Sequence, residues 1–95
     1  RAYKAEIDNI LQEVKTLSWA YYQEYNIFPN TEANISLLMP GGAAWATPSI
    51  VSGAGLATTI LWRSSGLAGG APVENADSCS VTLSRDGSST QGCSF

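Results

Sequence analysis

Apolar residues open the chain at alternating spacings of four and three: Tyr3, Ile7, Ile10, Val14, Leu17 and Tyr21, with Leu11, Tyr22 and Tyr25 widening the stripe. This is the repeat of one face of an α-helix. It predicts a helix from about Ala2 to Tyr25, roughly 36 Å long at 1.5 Å per residue. Pro29 limits the run, because proline has no amide to donate and biases the residue before it away from helical backbone. The stretch "LSWAYYQEYNIFPNT" therefore crowds its aromatics onto the last turns, which raises the question of what they hold. Trp19 does not belong to the stripe. At 100° per residue it falls among Asp8, Gln12, Lys15 and Gln23, so it is expected to face away from whatever the helix packs on.

After Pro29 the helical period ends. Positions 30–55 are rich in Gly, Ala, Ser, Thr and Asn, and Pro40 and Pro48 forbid long regular elements. This predicts a loop region with one short strand at Ser49 to Val51. Leu37, Leu38, Met39, Trp45, Ile50 and Val51 give the region apolar anchors that a disordered linker would lack. "ATTILWRSS" is β-branched and aromatic and reads as the first clear strand, followed by the loop "GLAGGAPVENAD". "CSVTLSR" alternates cleanly and reads as the second. Arg85, Asp86 and Gly87 then form a three-residue hairpin loop, with glycine where left-handed backbone is needed. In that register Cys79 faces Cys93 as a non-hydrogen-bonded pair with Cα atoms about 4.5 Å apart, a distance a disulfide accepts. Val81 and Leu83 share the cysteine face, while Ser80, Thr82 and Ser84 point the other way. The fold class is α+β in a single domain, 1–95: a helical part (1–26), a variable loop region (27–57), and an antiparallel sheet with a disulfide-closed C-terminal region (58–95).

Ninety-five residues can bury one core, and a covalent fastener helps at this size. A structural disulfide is favoured over a reduced buried pair. A redox pair would sit closer in sequence, and a zinc site would need two more ligands. The bond implies an oxidising, extracytoplasmic setting. Net charge is −3 with five scattered basic residues, so duplex DNA is not expected to bind strongly. No run approaches the roughly 20 apolar residues of a membrane span. The start "RAYKAEID" lacks a cap and an acidic first turn, which leads us to expect that the native helix begins upstream of Arg1.

Catalysis finds no support. Without histidine there is no Ser-His-Asp or Cys-His arrangement, and the serines have no evident base, so no catalytic residue and no cofactor is assigned. The clusters "PGG" and "GLAGG" are not followed by Lys-Ser or Lys-Thr and read as loop glycines, not phosphate cradles. Glu74, Asp77 and Asp86 could approach one another as a calcium site, yet their spacing matches no ligand loop, so solvated charge is preferred and no metal is assigned. "NIS" at Asn34 matches a glycosylation acceptor, a pattern short enough to arise by chance. Trp45 and Trp62 read as core and sheet-packing residues in preference to a ligand site.

The helix end also carries a family resemblance. The stretch "AYYQEYNIFPNT" has paired tyrosines, a further Tyr25, and an aromatic-Pro-X-Thr exit at Phe28 to Thr31. Followed by a Gly-rich loop, a small antiparallel sheet and a C-terminal disulfide hairpin, it resembles the soluble head of a type IV pilin or of the related type II secretion pseudopilins. The likeness spans the chain in outline and is sequence-specific over about Ala20 to Thr31. It implies a filament subunit, outside the cytoplasm on a bacterial cell-surface pilus or a periplasmic pseudopilus. Its partners would be other copies or other pilins, and the inner membrane through an N-terminal segment not present here. By the resemblance, Tyr3, Ile7, Ile10, Val14, Leu17 and Tyr21 dock the helix on the sheet. Cys79 and Cys93 clamp the C-terminal region, residues between Asn30 and Gly55 meet neighbours, and Trp19 is a candidate subunit contact. The filament would serve adhesion, motility, DNA uptake or secretion. The rival reading is a secreted or filament-tip binding module, adhesin-like, using the Gly- and Trp-bearing loops.

Overall fold

The computed structural model describes residues 2–39, 45–66 and 77–94. Helix α1 spans Ala2–Tyr25, the bounds that its apolar period and Pro29 predict. Asn26 ends it: its backbone is left-handed at φ 63°, and its amide donates to the Tyr22 carbonyl at 2.7 Å. Asparagine tolerates this conformation better than other non-glycine residues, so it serves as a helix stop. The chain then turns back. The Phe28 amide donates to the Gly55 carbonyl at 2.9 Å, which ties the helix exit to the segment before the second strand.

Among the described residues four strands follow: β1 (Ser49–Ser52), β2 (Thr59–Ser65), β3 (Ser78–Ser84) and β4 (Ser89–Cys93). They pair antiparallel in the order β1-β2-β3-β4, each strand beside its neighbour in sequence. β2 begins two residues later than its β-branched composition suggests. The reason lies in Arg85, whose amide takes the Thr58 carbonyl at 3.1 Å and whose Nε takes that of Ala57 at 2.9 Å, so this stretch serves the hairpin turn instead of a strand. Gly53 turns β1 toward β2 at φ +82°, and a Cβ there would lie 1.8 Å from the Thr59 carbonyl oxygen, so the connection closes only on glycine.

Alternation along β2 and β3 is strict. Ile60, Trp62 and Ser64 are buried with Cys79, Val81 and Leu83, while the residues between them are not. Ile7, Ile10, Leu11 and Val14 of α1 close over this inner face, with Phe28, Ile35 and Trp45 completing the core. The loop region contains a feature its composition hides, a 3₁₀ turn at Glu32–Ile35. Its polar side chains build it: Asn34 Oδ1 accepts the Asn30 and Thr31 amides at 3.1 Å each, and Ser36 takes left-handed backbone at φ 53°. Ile35 points from this turn into the core.

Candidate functional site

The C-terminal hairpin is the most fully specified surface feature. Its turn is the three-residue loop expected from Arg85-Asp86-Gly87. The Ser84 amide donates to the Ser88 carbonyl at 2.9 Å, the Gly87 amide to the Ser84 carbonyl at 3.0 Å, and Gly87 has φ +92°. Asp86 Oδ1 accepts both the Ser88 hydroxyl at 2.6 Å and the Ser88 amide at 2.9 Å. These bonds, the hydroxyl first, hold the exposed Asp86 carboxyl below its ordinary range. Five residue pairs further along the ladder Cys79 stands opposite Cys93, and the two form a disulfide with Cα atoms 3.9 Å apart.

Trp19 is not where its place on the helical wheel puts it. It is half-buried and packs against the core cluster. Its ring stacks on Tyr22 at 5.5 Å, and the indole lies so close to the turn that a Cβ at Gly87 would be 3.5 Å from Cζ2. The expectation that Trp19 faces away from the sheet is thus corrected: the indole packs on its own chain. The cause is the hairpin, which flanks the helix on its polar side. On that same flank Gln12 Nε2 donates to Gln91 Oε1 at 3.0 Å, and Gln91 Nε2 donates to Asp8 Oδ1 at 3.0 Å. The other Asp8 oxygen takes Lys4 Nζ at 3.3 Å. Side chains that pair with each other across an interface look the same in sequence as side chains that pair with water.

The buried arc of α1 is correspondingly rotated. Ile7, Ile10 and Val14 are buried as expected, Leu17 is half-buried against the core, and Leu11 and Ser18 are wholly buried. Tyr21 departs from the docking role given to it. Its ring packs on Tyr25 at 4.5 Å, and Tyr25 is 55% exposed, so the pair lies at the margin of the contact. Glu24 raises the Tyr25 hydroxyl's pKa above its ordinary value by its negative charge. The side chain of Tyr3 lies outside the described residues.

Tyr22 explains the crowding of aromatics at the helix end. Its ring touches Trp19 on one side and Phe28 at 5.1 Å on the other, and the Arg85 guanidinium lies 6.0 Å from its centroid. Arg85 in turn donates to the carbonyls of Ala57 and Leu56. One aromatic cluster therefore joins the last helical turns, the helix exit, the approach to β2 and the hairpin turn. Aromatic spacing in the sequence hinted at such a cluster, but Arg85 read only as a turn residue.

The loops offer little chemistry. Trp45 and Trp62 are 2% and 1% exposed, so neither is presented to a ligand. Leu38 and Leu56 are 82% and 79% exposed. An open groove of about 450 Å³ runs beside α1, lined by Glu6, Asn9, Ile10, Glu13, Leu38 and Met39. Among the described residues there is no group of three possible metal ligands. Asp77 precedes β3 and Asp86 follows it, so about 20 Å of strand separates them, and the calcium site that would have joined them does not form; Glu74 lies outside the described residues. Glu32 is used structurally. Its Oε2 accepts the Ile50 amide at 3.0 Å, and this bond holds the carboxyl below its ordinary range.

Fold and surface define an α+β domain in which one long helix covers a four-stranded antiparallel sheet closed at its C-terminal edge by a disulfide. Comparison of the chain with protein-family models, curated proteins and solved structures finds no match.

Proposed function

We propose that this chain is the head of a filament subunit of the type IV pilin or pseudopilin kind. The observation that carries the reading is a single arrangement. A 24-residue helix covers an antiparallel sheet, leaves through Tyr25-Asn26-Ile27-Phe28-Pro29 into a Gly-rich region, and is flanked by a cystine-closed hairpin. At 1.5 Å per residue the helix extends about 36 Å, against a longest molecular dimension of 40 Å. A helix running the length of the particle suits a subunit held in a polymer through that helix, with the sheet and loops turned outward. The subunit would polymerise with copies of itself or with related subunits, outside the cytoplasm, and carry no catalytic function. The adhesin-like reading has less support, since Trp45 and Trp62 are in the core; the glycine clusters it also invokes, at 41–42 and 69–70, lie outside the described residues.

The test is the coding sequence upstream of Arg1, followed by labelling. The reading expects a short basic leader ending in Gly, then Phe or Met, then about 20 apolar residues with Glu at the fifth mature position. Antibodies to the chain should decorate surface filaments in electron micrographs. A conventional cleaved signal peptide, or filaments that the antibodies never label in cells secreting the chain, would overturn it.

A further inference from the structure

Asn34 is the one element of the sequence that matches a modification pattern and that the filament reading leaves unused. The pattern Asn34-Ile35-Ser36 fits N-linked glycan acceptors but is too short to decide anything alone. The fold adds three observations. First, the two ends of the Asn34 amide are used unequally. Oδ1 accepts the amides of Asn30 and Thr31, with the Thr31 hydroxyl 3.4 Å away, whereas Nδ2 donates to none of the described residues. Second, Asn34 and Ser36 are both exposed, so a group attached at Nδ2 leaves directly into solvent. Third, Oδ1 is unchanged by substitution at nitrogen, so the bonds that shape the 3₁₀ turn persist in the product.

We propose that Asn34 is an N-glycosylation site. The donor is a lipid-pyrophosphate-linked oligosaccharide. Asn34 Nδ2 attacks the anomeric carbon, the new N–C bond forms, and the C–O bond to phosphate breaks. The lipid pyrophosphate leaves with the electron pair, and one Nδ2 proton passes to a base of the transferase. Ile35, between acceptor and hydroxyl, is 5% exposed in the folded chain. Transfer therefore precedes the docking of this turn, as the chain emerges into the oxidising compartment that the Cys79–Cys93 bond requires. Glu32 stands two residues before Asn34, so a transferase that also reads an acidic side chain there finds one. The inference does not depend on the filament reading and survives its failure.

The chain would be exported to the periplasm of bacterial cells carrying an oligosaccharyltransferase that reads an acidic residue two positions before the acceptor, together with an established acceptor protein as internal control. Peptide mass spectrometry is expected to find one oligosaccharide on Asn34 in most molecules of the unsubstituted chain. Asn34→Gln and Ser36→Ala should each remove it, with export and disulfide formation checked on the same samples. An unmodified Asn34 beside a fully modified control would overturn the proposal, as would a glycan that persists in Asn34→Gln.

Discussion

Replacing Trp19 by alanine distinguishes sharply between a helix face turned to solvent and one turned to its own hairpin. From the helical wheel alone the change should leave stability untouched. Truncating a fully buried Trp to Ala costs about 3 to 5 kcal/mol. Trp19 is half-buried, so roughly half of that, about 2 kcal/mol, is at stake, of which the stacking on Tyr22 contributes up to ~1 kcal/mol. For a domain of this size each kcal/mol moves the melting temperature by about 4 to 8 °C, which places the expected fall at about 8 to 16 °C. Thermal unfolding of the oxidised protein, followed by the helical circular dichroism signal, measures it. Trp19→Phe, which keeps a flat ring beside Gly87, should lose less than half as much. Amide exchange supplies the local check: the 84–88 turn should lose protection before the sheet centre does. A Trp19→Ala melting temperature within ~2 °C of the parent would refute the packing account, because a loss that small corresponds to under about 0.5 kcal/mol.

Reduction of the Cys79–Cys93 bond should cost about 3 kcal/mol, the chain-entropy value for a loop of this length; alkylation without reductant should label no thiol, and two labelled thiols on folded protein would contradict the pairing. Ser18 is fully buried and its hydroxyl has no partner among the described residues, so Ser18→Ala should stabilise by about 0.5 to 1.5 kcal/mol in denaturant titrations; a loss would mean that the hydroxyl is bonded. Glu32 has an ordinary pKa of 4.5 that its bond to the Ile50 amide lowers on folding. Its contribution is therefore complete above about pH 4.5 and disappears as the pH falls through the lower, folded value. Stability of Glu32→Gln measured against pH should be flatter than the parent's below pH 4.5, and an equally steep decline would remove Glu32 from the account.

Helix α1 was legible to the residue because a long run at one period ended at a proline, two signals of independent origin that agree. The hairpin was legible for a similar reason. Turn chemistry at Asp86-Gly87 set a register, and the alternation of Cys79, Val81 and Leu83 required the same one. What the sequence did not disclose is how the helix is rolled about its axis. Asp8 and Gln12 satisfy Gln91 instead of water, and polarity is blind to which partner a polar group meets. The warning was Trp19 itself, a large apolar ring on a polar flank. The 3₁₀ turn was hidden differently, since the bonds to Asn34 Oδ1 that build it come from residues whose composition signals only a loop. Arg85 was missed because its partners, the carbonyls of Leu56 and Ala57, are nearly thirty residues away in sequence.

The contacts of Asp8, Gln12 and Trp19 with the C-terminal hairpin explain how so polar a strand as β4 keeps its place. "STQGC" brings no aliphatic side chain to the core, and Cys93, its one apolar contact with it, is only half-buried. An edge strand of this kind is held by little besides its ladder to β3. Three separate fasteners compensate. Cys93 is bonded to Cys79 at one end, Gln91 is gripped by Asp8 and Gln12 in the middle, and the turn at Gly87 abuts Trp19 at the other end. Helix residue numbers rise from 8 to 19 as hairpin numbers fall from 91 in β4 to 87 in the turn, so α1 runs antiparallel to β4. Each fastener is of a different physical kind: covalent, hydrogen-bonded and aromatic. None of them uses the outward backbone edge of β4 or the side chain of Thr90, which faces away from the helix, as does the open space over Gly92. The C-terminal edge can therefore vary in sequence at those outward positions, or meet a partner through them, without disturbing what holds it.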